Sequence, residues 1–366
     1  MNTRKLWPGI AFVMLIALPD LALGASSVSS FGKVKSVGLA DFQPHLKDNE
    51  SYSEAWGHGV WTDDGRFMIG VDFVISNLGI GDHNGAVSVQ YVDDAGKKTK
   101  CKVDYDDDEW SWSKDRFALK FGSNTVQGDK AGLQISVRCK NLKINLKYEN
   151  EVEPVKPGSG QLRFGENDGT YNMVFTSPRA KVTGTVIQGN KKTMISGIGY
   201  ADHSYMDIAP YDQARRWFRF KSIKKDLSVI FAEMETTEEY GKVTRGWAIL
   251  ADSNGKIVVT PRVNFSLDGF IKDTRSSEGY KIPRRVRFVA VEGSTHVTGS
   301  MVMTKLKETR DPLAQLGMIK RAIVKRYTKP RDYYISSNVK LRIRAKDQQD
   351  RLLEDAGTYR FYYVNP

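Results

Sequence analysis

The sequence predicts an all-β protein built as two tandem antiparallel barrels. Apolar and polar residues alternate at period two along most of the 366 residues, the signature of strands with one buried face. Turn residues separate these runs at short, regular intervals, and no strand–helix–strand alternation appears, as in sandwiches and barrels rather than parallel sheets. The same pattern restarts after residue 208. The chain is long enough for two ordinary units.

The strand pattern starts at Trp56–Trp61. In Arg66–Ser76, Phe67, Ile69, Val71, Phe73 and Ile75 share one face, while Gly70 and Asp72 leave the other face small or polar. Ala86–Val92 repeats the alternation, and Asp93-Asp94-Ala95-Gly96 turns the chain into the segment carrying Cys101. Lys114–Phe121, Leu133–Cys139 and Leu142–Tyr148 follow. Glu149–Gly160 is a loop, and Tyr171–Thr176, Lys181–Gln188 and Thr193–Tyr200 complete the first series. The second series opens with the pairs Trp217–Ile223/Leu227–Met234 and Val243–Ala251/Lys256–Val263, the latter joined through Asp252-Ser253-Asn254-Gly255. Phe265–Asp268, Arg285–Glu292 and Thr295–Lys305 extend it, and Tyr333–Ile335, Val339–Ile343 and Tyr359–Tyr363 close it. One interruption has helical spacing. Asp311 caps, Pro312 opens, and Leu313, Leu316, Ile319, Ile323 and Tyr327 form a stripe, predicting an amphipathic helix over 312–327.

Residues 1–24 have the form of an export signal, with Arg4 and Lys5, the apolar run Ile10–Leu18, and Ala22-Leu23-Gly24 before a cleavage point at Ala25. About nine apolar residues are too few to cross a bilayer core. The expected organisation is a cleaved signal at 1–24, a polar lead-in arm at 25–53, one barrel at 54–208 and a second at 209–366. The expected location is periplasmic or secreted. In such an oxidising compartment the only two cysteines, Cys101 and Cys139, are most simply one structural disulfide.

No metal site is expected, because His45, His58, His83 and His296 are scattered and the cysteines have no nearby histidine. No cofactor is expected either, since no phosphate-binding loop, dinucleotide fingerprint or nucleophile elbow is present. Asp104-x-Asp106-x-Asp108 lacks the glycine of a calcium loop, Glu109 standing in its place, and reads as a solvated acidic loop. Trp110-Ser111-Trp112 beside it lines a pocket mouth or anchors one strand face.

The richest stretch is Gly197-Ile198-Gly199-Tyr200-Ala201-Asp202-His203-Ser204-Tyr205-Met206, where an acid, an imidazole and two phenols lie within six residues. Its glycines suit a place where a strand bends or another group packs against the backbone. The string resembles the Gly-x-x-Tyr-x-Asp-His signature of the double-lipocalin family of carotenoid 1,2-hydratases, AttH-like secreted proteins and fungal lipid-carrying survival factors. The basic helix followed by Lys329-Pro330-Arg331-Asp332-Tyr333-Tyr334 is similar to the ending of the survival factors. This resemblance implies two lipocalin-like barrels and a hydrophobic small molecule or lipid as ligand, with Tyr200, Asp202, His203, Tyr205 and Trp217 beside it.

Two functions follow from the resemblance. One is an exported carrier that shuttles a lipid or isoprenoid through the periplasm. The other is an isoprenoid hydratase, cyclase or isomerase, with Asp202 as the general acid and Tyr200 or Trp217 steadying the cation. The hydratases continue the motif with Asn-Trp-Gly; Ser204-Tyr205-Met206 departs from that beside the supposed active site. An Asp–His pair at a barrel junction also has a purely structural use, bonding backbone groups where two units meet.

Charge is concentrated late in the chain. Residues 281–344 hold 16 Lys/Arg against 4 Asp/Glu, a net +12 that equals the charge of the whole chain. With the amphipathic helix inside this segment, an anionic membrane surface is the expected partner, docked through Lys320, Arg321, Lys325 and Arg326. Nucleic acid is not expected for an exported chain, and a monomer is. Alternatively, the helix plugs the second barrel with its stripe buried, or the charges are simply solvated faces.

Overall fold

The computed structural model describes residues 27–77, 81–315, 317–346 and 349–365, with backbone alone at 315 and 320. The expected signal at 1–24 lies outside the described residues.

The period-two alternation becomes two antiparallel sheets. The first contains β1 (Ser53–Trp61), β2 (Phe67–Ser76), β3 (Asn84–Val92), β4 (Lys98–Tyr105), β5 (Trp110–Trp112) and β6 (Phe117–Phe121). It continues with β7 (Asn124–Asp129), β8 (Gly132–Cys139), β9 (Leu142–Asn150), β10 (Gln161–Phe164), β11 (Gly169–Gln188) and β12 (Lys191–Met206). A single turn, α1 (Pro210–Gln213), leads to β13 (Ala214–Ile223), β14 (Ser228–Thr236), β15 (Thr244–Asp252), β16 (Gly255–Thr260) and β17 (Val263–Asp268). A small separate hairpin, β18 (Ile271–Lys272) with β19 (Lys281–Ile282), precedes β20 (Arg285–Glu292) and β21 (Thr295–Arg310). The helix α2 (Met318–Val324) then leads to β22 (Arg331–Arg344) and β23 (Arg351–Tyr363).

The pairing orders are β4-β3-β2-β1-β12-β11-β9-β8-β7-β6-β5, with β10 on β11, and β16-β15-β14-β13-β23-β22-β21-β20-β17. Each sheet curls into a nearly closed lipocalin-like barrel. Both interiors are packed, the first around Trp56, Phe73, Phe121 and Tyr148, the second around Phe218, Phe231, Phe288 and Tyr359. A third cluster lies between the barrels, where Tyr171, Phe175 and Tyr200 of the first meet Trp217, Ile230 and Trp247 of the second.

That seam explains the longest strand. Tyr171–Ala180 is buried without alternation, because one face joins the first barrel's interior and the other the inter-barrel cluster. The sequence pattern divides this stretch at Ser177-Pro178-Arg179. The structure runs through it with register shifts at Val174/Ser177 and Ser177/Ala180, where a proline without an N–H fits a bulge.

The lead-in arm is a packed strap. Phe31, Val37 and Phe42 are buried, and Trp56 Nε1 donates to the Phe42 carbonyl at 2.8 Å. Arg245 Nε of the second barrel donates to the Ser29 carbonyl at 2.8 Å. Cys101 on β4 and Cys139 on β8 form the expected disulfide, with Cα atoms 6.1 Å apart. Since β4 ends the pairing order, the bond ties an edge strand to the facing wall.

The helix over 312–327 is shorter than its stripe predicts. A 3₁₀ turn at Pro312–Gln315 is separated by Gly317 from α2, glycine being a poor helix former. Leu313 is buried, but Ile319 and Ile323 are exposed at 80% and 53%, so the helix does not plug the barrel; Leu316 lies outside the described residues. Among the described residues no helix is long and apolar enough to cross a membrane.

Candidate functional site

Strand alternation divides the Gly197–Met206 motif between two sides of one wall. On β12, Ala201 and His203 face the first barrel's interior, while Tyr200 and Asp202 face outward, toward β13 of the second barrel. Gly199 permits this packing, since a Cβ there would stand 2.3 Å from Val182 Cγ2 and 2.6 Å from Tyr148 Cε1.

His203 belongs to a buried hydrogen-bond network. Its Nδ1 donates to the Asp41 carbonyl at 2.8 Å, its Nε2 lies 2.6 Å from Glu54 Oε1, and its ring stacks on Trp56 at 4.5 Å. Glu54 also accepts from the Tyr52 hydroxyl and from the His45 backbone N–H at 2.8 Å. His45 Nδ1 lies 3.2 Å from Glu54 Oε1, and its ring stacks on Tyr205 at 3.8 Å. Burial opposes ionisation of Glu54, but hydrogen bonds from His203, His45 and Tyr52 outweigh it and hold its carboxyl down to about 2.

The donor atoms of His45, Glu54 and His203 lie within 4.8 Å of one another, close enough by distance to hold a metal ion. The sequence spacing gave no hint of this meeting. The 2.6 Å approach of His203 to Glu54, however, is a hydrogen bond with no room for a cation between its atoms. His203 and, through its stacking on His45, Tyr205 therefore join this wall to the lead-in strap.

The outward face is different. Lys102, Ser88, Asp72, Gly57 and Asp202 are register partners in one row across β4, β3, β2, β1 and β12. The adjacent row is Lys100, Gln90, Gly70, Gly59 and Tyr200. Both rows floor a cleft of about 840 Å³ whose lining includes Trp61 and Phe67 at one side and Arg219 and Lys221 of β13 at the other. The Trp61 and Phe67 rings meet edge to face at 5.4 Å.

Within this cleft the Tyr200 hydroxyl donates to Asp202 Oδ2. Lys221 Nζ reaches the same oxygen at 3.4 Å and sits 3.9 Å from the Tyr200 ring centroid, combining an ion pair with a cation–π contact. Asp72 Oδ2 accepts from Ser88 Oγ at 3.0 Å. A Cβ at residue 57 would stand 3.0 Å from Asp202 Oδ1 and 3.4 Å from Asp72 Oδ1. Glycine there leaves an open space onto which two carboxylate oxygens converge.

The surroundings tune these groups. Asp72 is exposed to the cleft yet crowded by protein atoms, and the resulting desolvation, with repulsion from Asp202, pushes its carboxyl up to about 6 against the pull of Ser88 and Lys221. Desolvation and Arg219 lower the Lys221 ammonium, with Asp202 and Asp72 opposing. Burial, then the Asp202 charge, raises the Tyr200 phenol well above its ordinary range. His58 faces the interior, where burial drives its imidazole down to about 4.

The structure thus brings Tyr200 and Asp202 together in the cleft. Trp217 packs between the barrels beneath the Arg219 guanidinium, 4.7 Å away, while Arg219 and Lys221, farther along β13, reach the cleft. Asp72, Gly57 and Lys221 escaped sequence reasoning. The available signal was Asp72, a lone acid on the polar face of an otherwise apolar strand. Trp110 stacks on Phe121 at 5.4 Å and serves as a ring anchor.

The Svf1 family model matches residues 77–360. The chain belongs to the Svf1 family. No match is found among the curated proteins. Among solved structures, the AttH candidate NE1406 of Nitrosomonas europaea is 13% identical, with 91% of this chain and 98% of that one covered at a TM-score of 0.53. Kievitone hydratase of Nectria haematococca is 11% identical over 93% and 98% of the two chains, at 0.52. CghA, solved with Sch210972, is 8% identical over 92% and 95%, at 0.58. At these identities the likeness shows a shared fold.

Proposed function

We propose that this member of the Svf1 family is an enzyme that moves a proton on a small, partly apolar molecule held between its two barrels. The observation that carries the reading is the convergence of Asp72 and Asp202 on the space over Gly57. Two neighbouring carboxyls in unlike surroundings are the means by which a site holds one acid and one base at the same pH. Trp61 and Phe67 supply ring faces for an apolar ligand or a developing cation. One fold relative is by name a hydratase, and protonation of an alkene opens hydration, cyclisation and isomerisation alike.

A panel of candidate substrates suffices for the test. The protein is incubated with isoprenoid and aryl alkenes in D2O, and recovered ligands are analysed by mass spectrometry. Catalysis incorporates deuterium, and Asp202→Asn and Asp72→Asn lose that incorporation while retaining ligand. Ligands that are bound and recovered without deuterium overturn the reading.

Carriage of a lipid or isoprenoid is the second reading, and a different feature favours it. A cavity of about 380 Å³ lies against the second barrel, where Phe220, Leu227, Val229 and Leu341 line it together with charged residues such as Asp63, Lys224 and Asp355. Exposed Met318, Ile319, Ile323 and Tyr327 near Lys325 and Arg326 suit docking on an anionic membrane. Export to the periplasm or beyond fits the N-terminal sequence and the Cys101–Cys139 disulfide. Organic extraction of purified protein distinguishes the readings, because a carrier yields a stoichiometric lipid that donor vesicles replace without chemical change.

A further inference from the structure

We infer that Asp72 is the carboxyl that exchanges a proton with the bound molecule, and that Asp202 is a fixed anion positioning Tyr200 and Lys221. This assignment rests on the proton-transfer reading and reverses the role that the motif suggests for Asp202.

Hydrogen bonding separates the two groups. Asp202 Oδ2 takes both the Tyr200 hydroxyl and, at 3.4 Å, the Lys221 ammonium. Donors of this kind favour the ionised carboxylate. Protonating Asp202 would remove the charge that pairs with Lys221 and weaken the acceptor that Tyr200 uses inside a packed wall. Among the described residues, Asp72 is hydrogen-bonded only on Oδ2, by Ser88 Oγ at 3.0 Å. A serine hydroxyl rotates to donate to a carboxylate or to accept from a carboxylic acid, so this partner suits both protonation states.

Exposure separates them again. Asp72 Oδ1, the oxygen Ser88 leaves free, points to the space over Gly57, 3.4 Å from where a Cβ would sit. A ligand atom there can meet Asp72 Oδ1 directly. Both carboxyls reach this space, Asp202 Oδ1 standing 3.0 Å from the same point. Asp72, however, is exposed to the cleft and its water, whereas Asp202 is half-buried.

The charged and titratable groups around Asp72 come from each neighbouring strand. Asp202 and Tyr200 lie on β12, Arg219 and Lys221 on β13, and Lys102 on β4, the last paired with Asp104. His58 lies on the opposite face of β1. The Asp202 anion and the cleft walls resist a second negative charge, while Lys221 receives it once formed. In the transfer, the Oδ1–H bond of Asp72 breaks and its electrons remain on the carboxylate. A π or lone pair of the ligand forms the new bond to hydrogen, and the positive charge passes to the ligand beside the ring faces. Water that adds to the ligand cation gives up a proton to the Asp72 carboxylate, or the cation itself releases a neighbouring proton to it, and either course restores a neutral ligand and the acid.

The experiment follows the carboxyls themselves, by NMR of full-length protein labelled with 13C at the aspartate carboxyl. One resonance is expected to titrate near pH 6. It should vanish in Asp72→Asn and persist in Asp202→Asn, shifted to lower pH by loss of the neighbouring anion. Ser88→Ala, which leaves both carboxyls in place, should move it to higher pH. A resonance that survives Asp72→Asn and disappears in Asp202→Asn, or an Asp72 signal that titrates below pH 5 and ignores Ser88→Ala, overturns the assignment. Either result leaves proton transfer standing with Asp202 as the acid. Absence of deuterium incorporation sinks the proton-transfer reading instead, whatever the titration shows.

Discussion

Arg179 and Glu151 form an ion pair at the seam between the barrels, Nε to Oε2 at 2.8 Å, with the arginine 1% exposed. The other guanidinium nitrogens reach across to the second barrel, donating to the Lys224 carbonyl at 2.8 Å, to Ser228 Oγ at 2.9 Å and to the Lys225 carbonyl. One side chain from the β11 bulge thus satisfies the turn that joins β13 to β14. Removing one partner of a buried pair leaves the other charge uncompensated, a loss of about 3–5 kcal/mol. Arg179→Met should cost this much in urea unfolding and should divide a shared transition into two. A cost below about 1 kcal/mol, the range of an exposed pair, would show that the seam does not depend on it.

Acid stability should report on Glu54. Its folded carboxyl is held down to about 2, against an ordinary 4.5. Between those values the unfolded chain binds the extra proton, so stability rises with pH across the window. The contribution is complete above about pH 4.5, on the order of 3 kcal/mol, and is lost as pH falls toward 2. Glu54→Gln should lower the melting temperature at pH 7 and flatten the dependence between pH 2 and 4.5. An unchanged slope there would assign acid unfolding to other carboxylates.

The architecture was legible because alternation, turn residues and the restart after residue 208 are local properties of the chain. The site was half legible. Tyr200 and Asp202 stand in a short string, so proximity in sequence brought them to notice. Asp72 and Lys221 meet Asp202 only through strand register and barrel docking, which no single window of sequence contains. Motif reading also placed His203 with Asp202, although a one-residue step along a strand sends them to opposite faces. The helix was over-extended because its apolar spacing continues across Gly317, where the backbone does not.

The Cys101–Cys139 bond spans 38 residues. In the chain-entropy picture, closing such a loop stabilises the fold by about 3–4 kcal/mol. Thiol labelling of unreduced, denatured protein should find no free cysteine, and Cys101→Ala with Cys139→Ala should lower the urea midpoint accordingly. Two reactive thiols per chain would rule the bond out. Because Cys101 and Lys140 line the cleft wall, the same variant is also expected to weaken ligand retention.

Docking on anionic membranes should divide unequally among the four cations singled out from the sequence. Arg321 is already paired with Asp311, so its charge is partly spent within the protein. Lys325 and Arg326 make no ion pair among the described residues, and the side chain of Lys320 lies outside them. Near a negatively charged leaflet each free, well-placed cation contributes about 1 kcal/mol, fading within a Debye length. Met318 and Ile319, 90% and 80% exposed, add apolar contact that salt does not screen. In co-sedimentation with phosphatidylserine vesicles, Lys325→Ser with Arg326→Ser should weaken binding about tenfold or more, and Arg321→Ser should do little. Changing all four to Ser should abolish the salt-sensitive part, while Met318→Ser with Ile319→Ser should reduce the remainder at high salt. Binding that ignores lipid charge, or that survives the fourfold change, would remove the membrane from the partners of this chain and leave the exposed helix without a role in docking.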